Sequence, residues 1–227
     1  MFIKIFDRRI PIFRRILKDI KGRKTHDKPF VIGINGIDNS GKTEFAKGLE
    51  DFLKEENYKT QLIELDDFHN LKKIRYSGNN EIDCYYNNSF NIETIINELL
   101  KPIHEDKEVN VNIKILDLCS DKYIKSKKYS VDKDTIVLLE GVFLFRKELV
   151  YYINYKIFLD VPFKESKKRA RYRDISRFGK EIMQRYDNKY LPAQRKYLKE
   201  FSPLKIADLV INNTNWEYPV IENYSFD

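Results

Sequence analysis

The stretch with the clearest chemistry is residues 36–43, Gly-Ile-Asp-Asn-Ser-Gly-Lys-Thr, which fits the pattern G-x-x-x-x-G-K-[ST]. In such a stretch, which we call the phosphate loop, backbone N–H groups converge on phosphate oxygens at a helix N-terminus, where the dipole also favours anions. The glycines permit the tight path, the lysine faces the β- and γ-phosphates, and the threonine hydroxyl can ligate Mg²⁺. We therefore predict a nucleotide site at Gly36, Asp38, Asn39, Ser40, Gly41, Lys42 and Thr43.

The elements around the phosphate loop fit this prediction. "PFVIGING" has the composition of a short buried strand that runs into a glycine turn. "KTEFAKGLEDFLKEE" follows, with Phe45, Leu49 and Leu53 at helical spacing. A strand, a loop and a helix in this order are the context that the motif requires, which disfavours a chance glycine-rich loop.

Acidic residues follow two other predicted strands. Asp66 and Asp67 end the strand "KTQLIEL", where a carboxylate can accept a proton from an attacking hydroxyl or hold Mg²⁺. The alternative for this pair is a solvated loop or a helix cap. Glu140 ends the hydrophobic strand "TIVLLEG". Because a lone buried charge is costly, we predict a magnesium role for Glu140.

A strongly basic helix is predicted at about 163–178, and eight basic and two acidic residues lie between Lys164 and Lys180. A solvated charged face is one interpretation of this run. A lid that brings Arg169, Arg173 or Arg177 over the phosphates is the other, since arginine forks suit phosphate oxygens.

Strands that alternate with helices predict an α/β fold with a mostly parallel sheet and ligands at the carboxyl ends of the strands. Further strands are predicted at "VNVNIKILDL", "YKIFLDVP" and "ADLVINN". Further helices are predicted at "SFNIETIINELLKPI", ending near Pro102, and at 186–201. The polar stretch 69–83 is the longest predicted loop or flap.

Composition predicts one soluble, cytoplasmic domain. The chain has 227 residues, 34% of them charged, and no apolar run approaches the roughly 20 residues that span a bilayer. Its two cysteines, Cys84 and Cys119, lie far apart without metal-ligand spacing. The first residues show no cleavage site of a secretory signal.

The net charge of +7 belongs to residues 1–28, while residues 29–227 carry 32 charges of each sign. Within this arm, Phe13, Ile16, Leu17 and Ile20 recur at helical spacing, and Pro11 suits the first turn of a helix. We favour a helix that packs its apolar stripe on the domain. Contact with an anionic membrane surface or nucleic acid is the alternative.

Several motifs occur together in chain order: "GINGIDNSGKT", "LDDFHN", "CYYNNSFN", "IKILDL", "LLEGVFLF", "FLDVPFKESKKRARYRD" and "YLPAQRKYLKEFSPLKIADLVINNT". Together they resemble the uridine kinase branch of the P-loop small-molecule kinases, over roughly residues 30–214. The resemblance implies a three-layer P-loop kinase fold over residues 29–227, with a basic helical lid at about 163–182. It also implies ATP and Mg²⁺, and a nucleoside-like acceptor that is phosphorylated at its 5′-hydroxyl.

The resemblance assigns roles to the residues named above. It implies that Asp66 is the general base, that Thr43, Asp66 and Glu140 surround the metal, and that Lys42 stabilises the transferred group. Lid arginines match best at Arg169 and Arg173. Phe178 stands where such kinases often have an arginine, and Arg177 beside it is the substitute that we expect near ATP.

The resemblance also implies an acceptor pocket. Its lining is expected at Phe68, His69, Tyr85, Tyr86, Phe90 and Asp117. His69 replaces the tyrosine of the family's "D-x-F-Y" motif, and the histidine expected soon after Asp117 is missing.

Other functions remain open. A kinase for pantothenate, nicotinamide riboside or a sugar alcohol fits the same motifs. A regulatory or motor NTPase that hydrolyses ATP or GTP is a second class, although no N-K-x-D motif follows the last strands. The neutral balance of residues 29–227 disfavours nucleic-acid binding, which needs clustered cations. An oligomer is compatible with the sequence.

Overall fold

The structure is a computed structural model that describes residues 2–25, 27–105 and 107–222, with residues 2–7 described by their backbone only. The helices are α1 (Phe2–Arg23), α2 (Lys42–Glu55), α3 (Lys72–Arg75), α4 (Glu81–Asn88), α5 (Ile92–Ile95), α6 (Lys101–His104), α7 (Lys147–Val150), α8 (Phe163–Phe178), α9 (Ile182–Arg185), α10 (Leu191–Phe201) and α11 (Pro203–Ile206). The strands are β1 (Phe30–Gly36), β2 (Thr60–Glu64), β3 (Val109–Asp117), β4 (Lys122–Val131), β5 (Ile136–Gly141), β6 (Tyr155–Asp160), β7 (Leu209–Asn212) and β8 (Val220–Glu222).

The central sheet has the strand order β2-β5-β1-β6-β7-β8. Its first five strands run parallel, and β8 pairs antiparallel with β7. Glu64 at the end of β2 lies opposite Glu140 in β5, and Gly36 at the end of β1 lies opposite Leu159 in β6. The carboxyl ends of β1, β2 and β5 therefore meet at one edge, as the α/β prediction requires.

Helices cover both faces of this sheet, which gives the predicted three-layer α/β architecture. Strand β1 is buried along its whole length because both of its faces are covered. Phe30, Ile32 and Ile34 face the core shared with α1 and α2, whereas Val31 belongs to the core on the opposite face.

Within the arm, helix α1 packs on the domain through its buried apolar residues. Phe13, Ile16, Leu17 and Ile20 are all buried, and the Phe13 ring lies 5.3 Å from the ring of Phe45 in α2. The apolar stripe of α1 is therefore part of the domain core, which favours the packing interpretation over contact with a membrane. No helix in the described ranges has the length and apolar character to span a membrane.

Two expectations about helices need correction, and a third is confirmed. Helix α1 begins at Phe2, so Pro11 lies inside it and not in its first turn. The stretch 69–83, expected to be a loop, contains α3 and the beginning of α4, which Asn80 caps by accepting hydrogen bonds from the N–H groups of Ile82 and Asp83. The basic helix expected at 163–178 is α8.

Two long helices run through prolines. Helix α5 continues through a π-helical turn, Ile96–Leu100, into α6, so the helix passes Pro102 and ends at His104. The turn Tyr186–Tyr190 likewise joins α9 to α10 just before Pro192. A wider turn relieves the clash between a proline ring and the carbonyl four residues earlier. The helix therefore continues for two residues past Pro102, and its end lies near the expected stop.

Strand β3 forms an antiparallel hairpin with β4, apart from the central sheet. The alternating pattern of "VNVNIKILDL" indicated a strand, and such alternation is typical of an antiparallel strand with one exposed face. Strand β4 was not predicted from the sequence, and its lysine-rich segment "KYIKSKKYSV" is mostly exposed. The hairpin reaches the central sheet through Lys127, whose ammonium lies 3.0 Å from Glu64.

Candidate active site

The phosphate loop connects β1 to α2 along a path that only glycine permits at two positions. A Cβ on Gly36 would lie 2.5 Å from Ser40 Oγ and 2.8 Å from the Leu159 carbonyl oxygen. Gly41 has a φ of +89°, in the left-handed region where other residues are strained. The loop backbone can therefore approach a ligand closely, as phosphate binding requires.

Lys42 and Thr43 open helix α2. The buried Lys42 ammonium donates a hydrogen bond to the Ile37 carbonyl at 2.9 Å, so it lies across the phosphate loop. The Thr43 hydroxyl donates to Glu140 Oε1 at 2.9 Å. Burial raises the pKa of Glu140 to about 7, and nearby Asp66 acts in the same direction while Lys42 opposes it. A cation at this position would restore the charged carboxylate.

The two carboxylates after β2 have different surroundings. Asp67 accepts hydrogen bonds from Lys127 Nζ at 2.7 Å and from the Tyr129 hydroxyl at 3.0 Å, so it fastens the β3–β4 hairpin. The side chain of Asp66 is exposed and lines the main cavity together with Lys42 and Thr43. The sequence does not indicate which of these two neighbouring carboxylates faces the cavity, whereas the structure shows that it is Asp66.

His69 fixes the backbone beside Asp66. Its Nδ1 lies 2.7 Å from the Asp66 carbonyl oxygen, so that nitrogen donates the proton, and its ring packs 4.7 Å from the Phe90 ring. Both His69 and Phe90 line the cavity.

One cavity of about 750 Å³ joins most of the predicted site residues. The members that line it are Asp38, Asn39, Gly41, Lys42, Thr43, Asp66, His69, Tyr85, Phe90, Glu140, Arg169 and Arg173. Gly36 and Ser40 lie behind the loop surface, where both are buried.

Besides Gly36 and Ser40, four predicted residues lie outside this cavity. Phe68 is buried and packs 6.0 Å from the Tyr129 ring. Tyr86 is buried against Phe143 and under the Arg146 guanidinium. Asp117 closes the β3–β4 turn by accepting from the N–H and hydroxyl of Ser120. The fourth residue is Arg177, in helix α8.

Helix α8, the lid helix, begins against the phosphate loop. Ser166 Oγ donates to the Asp38 carbonyl at 2.7 Å, and Arg169 donates to the carbonyls of Asn39 and Asn213. Phe178, and not Arg177, lines the cavity at the far end of the helix. Successive helix residues point about 100° apart, which turns Arg177 away when its neighbour faces inward.

Arg173 belongs to a chain of polar contacts that links the lid helix to the loop. It pairs with buried Asp174 at 2.7 Å; Asp174 accepts from the Tyr186 hydroxyl, which accepts from the Asn39 amide. Burial acts to raise the pKa of Asp174, but Arg173 and Tyr186 outweigh it and hold that pKa below its usual value.

The end of the cavity near Asp38 is aromatic. The Tyr85 hydroxyl donates to both Asp38 oxygens at 3.2 and 3.1 Å, and the Tyr85 ring packs 4.8 Å from the Tyr190 ring. Burial raises the pKa of Asp38 and raises that of Tyr85 well above its usual value. Tyr186 and Tyr190 were not predicted as site residues, because their spacing of four residues on a helix is a signal that core residues also show.

The donor set near Thr43 fits Mg²⁺. A hydroxyl, the Glu140 carboxylate and the Asp66 carboxylate line one cavity, and these are the oxygen ligands that the ion prefers. Across the described residues there is no cluster of three or more histidine, cysteine or acidic side chains arranged to hold a metal. A few protein oxygens beside a phosphate site suit Mg²⁺, which keeps waters and phosphate oxygens as its other ligands.

The parallel sheet, the phosphate loop and the basic lid helix define a P-loop kinase fold. The chain superimposes with a TM-score of 0.68 on a structure described as a possible uridine kinase from Bacillus stearothermophilus, at 26% identity over 87% of this chain and 96% of that chain. A model of the phosphoribulokinase / uridine kinase family matches residues 31–216. The chain belongs to the phosphoribulokinase / uridine kinase family, as the ordered motifs predicted.

Two relatives show how far the likeness extends. Human nicotinamide riboside kinase 1 is 27% identical over 63% of this chain, and uridine kinase from Saccharomyces cerevisiae is 26% identical over 81%. The matches span 64% and 36% of the length of these two relatives. The members of this family are kinases, and these similarities are consistent with a small-molecule kinase.

Proposed function

We propose that the protein transfers the γ-phosphoryl group of ATP to a hydroxyl of a small molecule, and that this hydroxyl is the 5′-hydroxyl of a uridine- or cytidine-like nucleoside. The observation that carries this proposal is the single cavity that joins the phosphate loop, the carboxylate of Asp66 and an aromatic end. Beside the bound nucleotide, a hydrolase needs room only for a water molecule. This cavity also has space and aromatic rings for the ring of an acceptor.

In the proposed reaction, the acceptor oxygen attacks the γ-phosphorus while its proton passes to a carboxylate oxygen of Asp66. The bond between the γ-phosphorus and the β,γ-bridging oxygen breaks, and ADP leaves with the bond electrons. Asp66 is suited to this step because its side chain is exposed to the cavity and is not tied in an ion pair like that of Asp67.

Cations offset the charge that spreads over the transferred group. Lys42 and Arg173 line the cavity, while Arg169 holds the lid helix to the phosphate loop and a loop that follows β7. Bound Mg²⁺ would neutralise phosphate charge, and Thr43, Glu140 and Asp66 are the residues that would hold it. Positioning and charge neutralisation supply most of the rate in such reactions.

A pyridinium riboside such as nicotinamide riboside is the second candidate acceptor. The likeness to human nicotinamide riboside kinase 1 motivates it. The carboxylates of Asp38 and Asp66 and the rings of Tyr85 and Tyr190 would stabilise a cationic ring through Coulomb and cation–π attraction.

The free thiols of Cys84 and Cys119 are in keeping with a reducing cytoplasm as the site of the reaction.

An acceptor screen tests the proposal. Purified protein with ATP and Mg²⁺ is incubated with uridine, cytidine, nicotinamide riboside, pantothenate and simple sugars, and mass spectrometry follows products heavier by one phosphoryl group. We expect a phosphorylated riboside, formed about 10²–10⁴-fold more slowly by Asp66→Asn. Steady ATP hydrolysis that no acceptor increases and that Asp66→Asn leaves unchanged would favour the NTPase class and overturn the proposal.

A further inference from the structure

Helix α1 lies outside the part of the chain that the family model matches, yet it reaches the cavity. Arg9 of α1 is only 7% exposed and lines the cavity together with Gly41, Arg169 and Trp216. Its guanidinium donates to the Trp216 carbonyl at 3.1 Å and to the Glu44 carbonyl at 3.4 Å. The arm thus joins the start of α2 to the turn that holds Trp216.

A second contact fastens the same turn to α1. The Arg8 guanidinium stacks over the Tyr218 ring at 3.9 Å from its centroid. Within the turn, the Tyr218 N–H donates to the Asn215 carbonyl. Two consecutive arginines of α1 therefore hold the backbone of Trp216 and the ring of Tyr218.

The place of Trp216 relative to the sheet indicates which part of a bound nucleotide it can reach. Trp216 follows β7, and Asp66 follows β2, and these strands lie on opposite sides of β1 in the sheet order. The phosphate loop follows β1, so it lies between the two. A nucleotide whose terminal phosphate faces Asp66 therefore extends its base toward the turn after β7.

The chemistry of this end suits a flat ring. Trp216 lines the cavity with 46% of its surface exposed, so an indole face is available, and Tyr172 of the lid helix lines the same cavity. Stacking of a base on an aromatic side chain strengthens binding and tolerates any base, since every base has a π-face. Arg9 fixes the backbone that carries the indole.

We propose that Trp216 stacks on the base of the donor nucleotide and that Arg9 of α1 is the residue that positions it. This inference rests on the proposed function, because it requires ATP on the phosphate loop. The N-terminal arm then contributes to the donor site, because Arg9 holds the turn after β7 that carries Trp216.

The chain offers a direct readout, since Trp216 is its single tryptophan. Intrinsic fluorescence is titrated with Mg²⁺–ATP and with Mg²⁺–tripolyphosphate, and calorimetry measures the affinity for both ligands. We expect ATP to quench the fluorescence and tripolyphosphate, which has no base, to bind without comparable quenching. Trp216→Ala should weaken ATP binding about tenfold and leave tripolyphosphate binding unchanged. Trp216→Phe should keep the affinity for ATP.

Variants of α1 test the positioning role. Arg9→Gln should weaken ATP binding severalfold, leave tripolyphosphate binding unchanged and shift the emission maximum of Trp216. Arg14→Gln, an exposed arginine on the same helix, is the matched control and should change none of these. A purely structural role of Arg9 would weaken both ligands equally and would contradict the positioning role.

The outcomes separate this inference from the proposed function. ATP binding by calorimetry with silent Trp216 fluorescence, and unchanged affinity in Trp216→Ala, would overturn the stacking while the kinase proposal stands. Absence of any ATP binding would overturn both. Thermal melts of each variant show whether it folds, and the comparison of ATP with tripolyphosphate by wild-type Trp216 fluorescence provides the measurement should Trp216→Ala fail to fold.

Discussion

The two ends of the cavity are built in different ways. The phosphate-loop end comes from one continuous segment, residues 36–43, and its shape depends on backbone that glycine makes possible. The aromatic end brings together Tyr85 of α4, Phe90 after it and Tyr190 of a π-helical turn near the end of the chain. Backbone N–H groups suit the phosphates that all nucleotides share, whereas side chains distinguish acceptors. The phosphate-loop end therefore indicates the class of reaction, and we expect the aromatic end to select the substrate.

The largest expected effect is at the phosphate-loop end. Lys42→Ala should lower the rate of phosphoryl transfer by about a thousandfold or more, because it removes a buried cation that lies across the loop. Steady-state kinetics with the acceptor found in the screen measures the loss. Lys47→Ala, an exposed lysine of the same helix that pairs with Glu64, should retain nearly full activity. Equal losses in both variants would contradict a specific role for Lys42.

The loop backbone gives the next largest effect. Gly36→Ala should weaken ATP binding by about a hundredfold and lower the free energy of unfolding by about 1–3 kcal/mol, because the added methyl would overlap Ser40 and the rigid Leu159 carbonyl. Gly22→Ala in α1 is the control, since a Cβ there meets nothing within 4 Å. We expect Gly22→Ala to keep ATP affinity and to raise the free energy of unfolding slightly. Calorimetric titration and chemical denaturation measure the two quantities.

At the aromatic end, Tyr85→Phe should raise the KM of the acceptor about tenfold and leave the KM of ATP within twofold. The substitution keeps the ring and removes the hydroxyl that donates to Asp38, a hydrogen bond to a charged group that contributes about 1.5–3 kcal/mol. Tyr151→Phe, at an exposed tyrosine, should change neither constant. An equal rise in both KM values for Tyr85→Phe would mean that the two ends are not separate.

The smallest effect concerns the contacts between the lid helix and the loop. The pKa of Asp174 is lowered in the folded protein, so its charged form stabilises the fold above its unfolded pKa of about 3.9, and this contribution is lost as the pH falls through the lower folded pKa. Asp174→Asn should therefore lower the melting temperature at pH 7, and its difference from wild type should shrink below about pH 4. Differential scanning calorimetry at both pH values tests this, and a constant difference would contradict it.

Much of the phosphate-loop end could be predicted because its functional residues are consecutive in the sequence and form a recognisable motif. Glu140 could also be predicted, since an acidic residue at the end of a buried strand is unusual. The aromatic end could be predicted only through the family resemblance, and Tyr190 was missed because buried aromatic residues on a helix most often serve packing. Tyr86 was assigned to the pocket together with Tyr85 because the family resemblance places their segment there, but neighbours on α4 point in different directions.

The fold shows the same limit. The parallel sheet followed from alternating strands and helices, whereas β4 has too many lysines to resemble a buried strand. The contact of Arg9 with Trp216 joins residues far apart in the chain, so no local sequence pattern predicts it.

The central claim is that Asp66 accepts the proton of the acceptor while Asp67 holds the structure together. Single-turnover phosphoryl transfer in Asp66→Asn and Asp67→Asn, with thermal melts of both, tests it most directly. We predict that Asp66→Asn slows transfer by about 10²–10⁴-fold without loss of stability, and that Asp67→Asn lowers the melting temperature and slows transfer far less. Transfer at the wild-type rate in Asp66→Asn, or the larger loss in Asp67→Asn, would contradict the account.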